Sequence, residues 1–275
     1  MRRVFALVIA LISAPPVAAQ VEPYDPSAIE VDVELLLLVD VSRSMTPSEL
    51  EIQRRGYAEA LTSDSVLNVI GDGFLGHIAV AYVEWAGAGS QRVVVDWRLI
   101  RSRDDAQGFA EALTLHFTQA MRRTSISGAL AMGPGYFRGN RFAGLRRVID
   151  ISGDGPNNDG APVLPIRDQV LAEGITINGL PLMTRDGIAA WNLDDLDIYY
   201  QTCVTGGAGS FVIPVYDWAE FAAAVRKKLV LEIAGKTPAP PRPEARVIPT
   251  QASPGRDCLI GEKMWQRSRD LWEPL

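Results

Sequence analysis

The sequence predicts an α/β fold: a doubly wound, mainly parallel six-stranded sheet, helices on both faces and one antiparallel edge strand. Three observations predict it. Apolar runs of strand length alternate with segments of helical periodicity, the order that builds parallel sheets. The first run, 34–39 (ELLLLV), is apolar at nearly every position, as in a central strand covered on both faces. Two strand-like segments, 77–85 (HIAVAYVEW) and 91–99 (QRVVVDWRL), are joined by only AGAGS, a link that makes them an antiparallel hairpin.

The elements follow in order. Residues 1–19 (MRRVFALVIALISAPPVAA) begin with a basic pair, continue in a short apolar stretch and end in small residues before Gln20. That is the pattern of a secretory signal peptide, too short in its apolar part to span a bilayer. After the first strand, Thr46-Pro47-Ser48-Glu49 sets a helix start, with a Thr cap, Pro at the first position and Glu at the third; the helix runs to about Val69, before Gly71-Asp72-Gly73. Beyond the hairpin, Ser102 opens a second helix reaching about Thr118, and Ile126 opens a third to about Tyr136. Strand 145–152, helix 163–172, strand 174–180, a short helix over 196–202, strand 210–215 and a helix over 218–233 complete the alternation. Residues 31–235 thus form the domain, 236–256 a Pro-rich linker and 257–275 a tail that packs back.

Composition narrows the function classes. Lys and Arg number 27 against 33 Asp and Glu, a net charge of -6, which disfavours a nucleic-acid partner. Past the leader no apolar run reaches membrane-spanning length, so no integral membrane segment is expected. His77 and His116 are the only histidines and are most simply structural. Cys203 and Cys258 are the only cysteines. In an exported chain, periplasmic or secreted, two cysteines predict one disulfide, the alternative being two free buried thiols.

The chemistry concentrates after the first strand, at the sheet end where open α/β folds bind ligands. Asp40, Ser42 and Ser44 alternate along extended chain and so share a direction. They offer one carboxylate and two hydroxyls. Thr124 and Asp154 stand on two further loops at the same sheet end. Five hard oxygen donors suit Mg²⁺, or Mn²⁺, with waters completing the shell. Asp150, on the Asp154 strand, reads as a residue near the sheet end, solvated or bonded to backbone. Asn157, Asn158 and Asp159 read as turn formers, and the 206–209 glycine run as a turn.

This series, Asp-x-Ser-x-Ser after an apolar strand, then Thr before a helix, then Asp-Gly after a later strand, resembles the von Willebrand factor type A (VWA) domain over about 31–235. The resemblance implies a metal-ion-dependent adhesion site (MIDAS) at Asp40, Ser42, Ser44, Thr124 and Asp154. More narrowly, Ile-Ser-Gly-Asp-Gly, the Tyr199-Tyr200 pair, GGAGSF and RKKLVLEI are similar to a secreted bacterial branch without assigned function (DUF1194-like). One departure stands out: Ser152-Gly153 precede Asp154 where many relatives carry Thr.

The function expected is a metal-dependent protein-binding module whose open coordination position takes an Asp or Glu of a partner. Two alternatives are a VWA-like scaffold without metal and a metal-assisted hydrolase. The sequence lacks a Gly-x-Ser-x-Gly nucleophile elbow and a second carboxylate at Asp-x-Asp spacing, so an enzyme is not expected.

Overall fold

A computed structural model of the chain describes residues 26–115, 120–184, 193–238 and 257–270. The expected signal peptide, most of the Pro-rich linker and His116 lie outside these residues.

Five strands form the main sheet, in the order β4-β3-β2-β6-β7. They are β2 (Glu34–Asp40), β3 (Ile78–Trp85), β4 (Gln91–Ile100), β6 (Arg147–Gly153) and β7 (Ile175–Pro181). All pairs are parallel except β3 with β4, the expected antiparallel edge. Two three-residue strands, β1 (Ile29–Val31) and β5 (Phe142–Gly144), pair separately in parallel. They are too short to carry a period in the sequence.

The sheet has five strands where six were expected. Segment 210–215 does follow the outer edge of β7, but it makes only the isolated bridges Gly179–Val212 and Leu182–Val215. The cause is Pro181. Gly179 exchanges bonds with Phe211 and Ile213, and the Val215 amide reaches the Pro181 carbonyl at 3.0 Å. The intervening rung needs an N–H at position 181, which proline lacks.

The helices sort to two faces. Alternate residues of β2 separate the two cores: Leu35, Leu37 and Val39 pack with α1 (Pro47–Thr62), α2 (Asp64–Gly71), α3 (Arg103–Thr114) and α7 (Phe221–Ala234). Leu36 and Leu38 pack with α4 (Ile126–Phe137), α5 (Val163–Ala172) and α6 (Leu196–Tyr199). The single helix expected over 47–69 is two helices. Ser63 between them is extended, φ -70 and ψ 147, and its hydroxyl caps the Ala60 carbonyl at 2.7 Å. Such local side-chain bonding competes with helix continuation.

A charged cluster crosses the α7 face. Lys228 is fully buried, pairs with Asp150 at 2.7 Å and also pairs with Glu232 one turn on. Asn178 donates to Glu232 at 2.9 Å. Asp150 is therefore neither solvated nor bonded to backbone, as its position suggested: it is fully buried and faces Lys228 across the helix–sheet interface. A lysine at a core position of a helix carries no signal of its partner in the linear sequence.

The last helix, α8 (Ile260–Asp270), is joined to the body by the expected disulfide, Cys203–Cys258, with Cα atoms 5.6 Å apart. Gly261 meets the turn after β6 so closely that a Cβ there would stand 2.0 Å from the Asn157 carbonyl oxygen. Asn157 donates to Glu262 at 2.8 Å, and Arg123 lies over the Trp265 ring at 4.7 Å. Replacing both cysteines by serine is expected to lower stability by about 2–4 kcal/mol, the range for loops of this kind. Urea denaturation of the oxidised wild type and of the cysteine-free variant measures it; equal midpoints would show that the bridge adds nothing.

Candidate metal centre

The strand order reverses at β2: the chain proceeds outward through β3 and β4, then returns to lay β6 on the other side of β2. This reversal opens a crevice at the carboxyl ends of β2 and β6. Asp40 ends β2, and Asp154 follows β6.

The turn after β2 is held from below. The Thr46 hydroxyl accepts the Glu49 amide and the Glu49 carboxylate accepts the Thr46 amide, so α1 starts at a fixed point. Gln53 on α1 donates to the Asp40 carbonyl at 3.1 Å. Within the turn, Asp40 Oδ1 accepts the Ser42 amide at 2.7 Å and Ser42 Oγ lies 2.9 Å from Ser44 Oγ. Ser44 Oγ donates to Asp154 Oδ1 at 2.9 Å. One chain of contacts thus joins Asp40, Ser42, Ser44 and Asp154.

Thr124 arrives on a separate loop. The Met121 amide ties that loop to the Val41 carbonyl at 2.8 Å. Asn158 clamps Thr124 on both sides: its amide donates to the Thr124 carbonyl at 2.8 Å and its Oδ1 accepts the Thr124 amide at 3.0 Å. Asn157 Oδ1 accepts the Ser127 amide at 3.0 Å. The residues read as turn formers therefore fasten the Thr124 loop to the Asp154 loop. Ser42, Ser44, Thr124 and Asp154 line one cleft of about 210 Å³, and Asp40 lies fully buried beneath it.

The electrostatics of this arrangement are unbalanced. Burial, then the Asp154 carboxylate, push the Asp40 carboxyl well above the usual carboxylate range. Burial pushes Asp154 up to about 6. Asp40 Oδ2 is buried and, among the described residues, has no hydrogen-bond partner. A buried carboxylate with an orphaned oxygen and a half-buried one, beside three hydroxyls, fit a hard divalent cation. Among the described residues no group of three or more His, Cys, Asp or Glu is arranged to hold a metal; the donor set here is two carboxylates with hydroxyls.

Tyr200 was not singled out as a site residue. Its hydroxyl is buried without a partner among the described residues, and burial, then Asp40 and Asp154, push it upward. A Cβ on Gly153 would stand 2.8 Å from that hydroxyl and 2.9 Å from Asp40 Oδ2. Gly153 leaves the space that Tyr200 occupies. Gly153→Ala is accordingly expected to destabilise the chain by about 1–3 kcal/mol through overpacking. Tyr200→Phe in the same chain should recover part of that loss, read as a coupling in a double-mutant cycle. Additive effects would show that the two positions do not compete for space.

His77 is structural, its Nε2 2.8 Å from the Glu30 carbonyl oxygen. In the 206–209 run, Gly207 and Gly209 have φ of 95° and 72°, a turn as expected.

Comparison with known proteins agrees with this architecture. The profile of the family described as "Protein of unknown function (DUF1194)" matches residues 30–237. No curated protein matches the chain. Among solved structures, proximal thread matrix protein 1 from the mussel byssus, in a form with a zinc-occupied MIDAS motif, is similar at 15% identity and a TM-score of 0.52, over 75% of this chain and 49% of that one. The pilus adhesin SpaC from Lactobacillus rhamnosus GG is similar at 13% identity and TM-score 0.52, over 74% and 31%. A von Willebrand factor type A protein from Catenulispora acidiphila is similar at 14% identity and TM-score 0.51, over 74% and 43%. The chain spans about half or less of the length of these structures, and at such identities the likeness is one of fold. Family and fold agree: the chain belongs to the DUF1194 family, proteins of unknown function on a von Willebrand factor type A fold.

Proposed function

We propose that the chain is a secreted, non-enzymatic protein-binding module whose contact with its partner depends on a divalent cation, Mg²⁺ or Mn²⁺, held by Asp40, Ser42, Ser44, Thr124 and Asp154. The observation that carries this reading is the pair of carboxylates at the strand-order reversal, Asp40 fully buried with its Oδ2 orphaned and Asp154 lining the cleft, with no Lys or Arg paired to either among the described residues. When bound, the ion would offer an electrophilic coordination position to a carboxylate from an Asp or Glu of the partner. The protein's own groups set that chemistry. Two carboxylates neutralise the ion, and three uncharged hydroxyls complete its protein ligands without adding charge. Asn158 holds Thr124 in place beside the other four residues.

Calorimetric titration of the exported form with Mg²⁺ and Mn²⁺ tests the reading. Saturable uptake at one site per chain is expected. No uptake at millimolar ion would overturn it and leave a scaffold. Export is supported by the Cys203–Cys258 bridge, since disulfides persist in oxidising compartments. Among the described residues no helix is long and apolar enough to cross a membrane. Mass spectrometry of protein from its native envelope should show an N-terminus at Gln20; a retained Met1 would count against export through this leader.

A further inference from the structure

We propose that Arg43 and Arg122 form an anion subsite flanking the metal centre, and that the partner therefore presents an acidic peptide segment with at least two neighbouring carboxylates. The inference rests on the metal reading above and deepens it.

Both arginines are exposed and line the same cleft as Ser42, Ser44, Thr124 and Asp154. Neither forms an ion pair with a carboxylate among the described residues. The neighbouring Arg123 differs: its guanidinium pairs with Asp159 at 2.7 Å and lies over Trp265 at 4.7 Å. Its backbone takes the left-handed conformation, φ 69°, which a non-glycine residue adopts at a cost of about 1 kcal/mol. Arg123 is thus spent on holding the loop and α8, while Arg43 and Arg122 are left facing the cleft.

Charge decides what they face. The chain as a whole carries a net charge of -6, so uncompensated cations gathered at one mouth are a local exception. A divalent ion held by Asp40 and Asp154 is neutral as a unit. One partner carboxylate on that ion satisfies it and leaves both guanidiniums unmatched. A second carboxylate close by in the partner matches them through charge-assisted, bidentate hydrogen bonds, the geometry arginine favours. The wall supplied by Pro156 and by Trp265 of α8 adds apolar surface that the methylene stems of Glu can cover and that a free phosphate cannot use.

The test uses the exported, oxidised full chain. Probes are a blocked peptide of four glutamates, a blocked peptide with one glutamate among serines, and tripolyphosphate. In Mg²⁺ and low salt the four-glutamate peptide should bind about tenfold or more tighter than the single-glutamate peptide, a preference that salt weakens. Arg43→Gln with Arg122→Gln should bring the two peptides to within about threefold of each other, the remainder after two charge-assisted contacts are removed. Mg²⁺ affinity, titrated separately, should not fall in that variant, because removing cations beside a cation site lessens repulsion. A preference unchanged in the double variant, with Mg²⁺ still bound, overturns the subsite and leaves the metal reading standing. Arginine-dependent peptide binding that persists in chelator, without Mg²⁺ uptake, upholds the subsite and overturns the metal reading. With Mg²⁺ in excess over the tripolyphosphate, so that chelation does not empty the site, displacement of the peptide by an equal concentration of tripolyphosphate overturns the assignment to an acidic peptide in favour of a phosphate ligand.

Discussion

Asp40→Asn is expected to abolish Mg²⁺ uptake while making the metal-free chain more stable. The amide keeps the shape, and its oxygen can still accept the Ser42 amide that Asp40 Oδ1 holds at 2.7 Å. What is lost is one of two charges on the ion. Even two unit charges about 4 Å apart at an intermediate dielectric attract by about 4 kcal/mol, or about three orders of magnitude in affinity, and a divalent ion in direct contact feels more. The metal-free chain gains because wild-type Asp40 is fully buried, lacks a partner for Oδ2 and is repelled by Asp154. The two effects have opposite signs, and this separates them from a folding defect. Melting in chelator should occur at a higher temperature than wild type. Adding Mg²⁺ at about 100 times its dissociation constant should stabilise wild type by about 2.7 kcal/mol and leave the variant unmoved. A variant that Mg²⁺ stabilises as it does wild type would show that Asp40 is not a ligand.

The second large effect lies away from the cleft. Lys228→Met should cost about 3–5 kcal/mol, because it leaves the buried carboxylates of Asp150 and Glu232 without their ammonium. That is a large share of the 5–15 kcal/mol that holds a domain of this kind folded. Replacing Asp150 and Glu232 by uncharged residues of similar size in the same chain should restore most of the loss.

The cluster also gives a pH dependence with a definite sign. Burial, then the Asp150 carboxylate, push Glu232 up to about 7 from an ordinary value of 4.5. Between those values the folded chain holds a proton that the unfolded chain has released. Stability from this source is therefore full below about 4.5 and is lost as pH rises through about 7. Urea midpoints taken across that interval should fall with rising pH in wild type, and fall less in Glu232→Gln. Equal slopes in the two proteins would remove Glu232 from the account.

Most of the fold was legible because it is written in period and punctuation. The ELLLLV run, the AGAGS link and the Thr-Pro-x-Glu cap each act within a few residues, and β2, the β3–β4 hairpin and the start of α1 follow from them. The five residues from the Asp40, Thr124 and Asp154 loops were legible as oxygen donors at one sheet end, and four of them line one cleft with the fifth beneath. What escaped depends on partners distant in sequence. Lys228 acquires its meaning from Asp150 on another element. Tyr200 enters the site only because Gly153 leaves room. Pro181 reads as the end of a strand until 210–215 is laid beside it and one rung is missing.

That missing rung bears on how the molecule behaves in a crowd. A sheet with open edges can recruit a strand from another copy and grow. On the β7 side the covering segment is itself a poor template: Val212 and Pro214 alternate with the residues bonded to β7, so its outward face lacks the N–H of Pro214. The β4 side is guarded otherwise, by register irregularities around Tyr82 and by Arg92, Asp96 and Arg98 along a ten-residue strand. Both rims thus discourage polymerisation through the backbone.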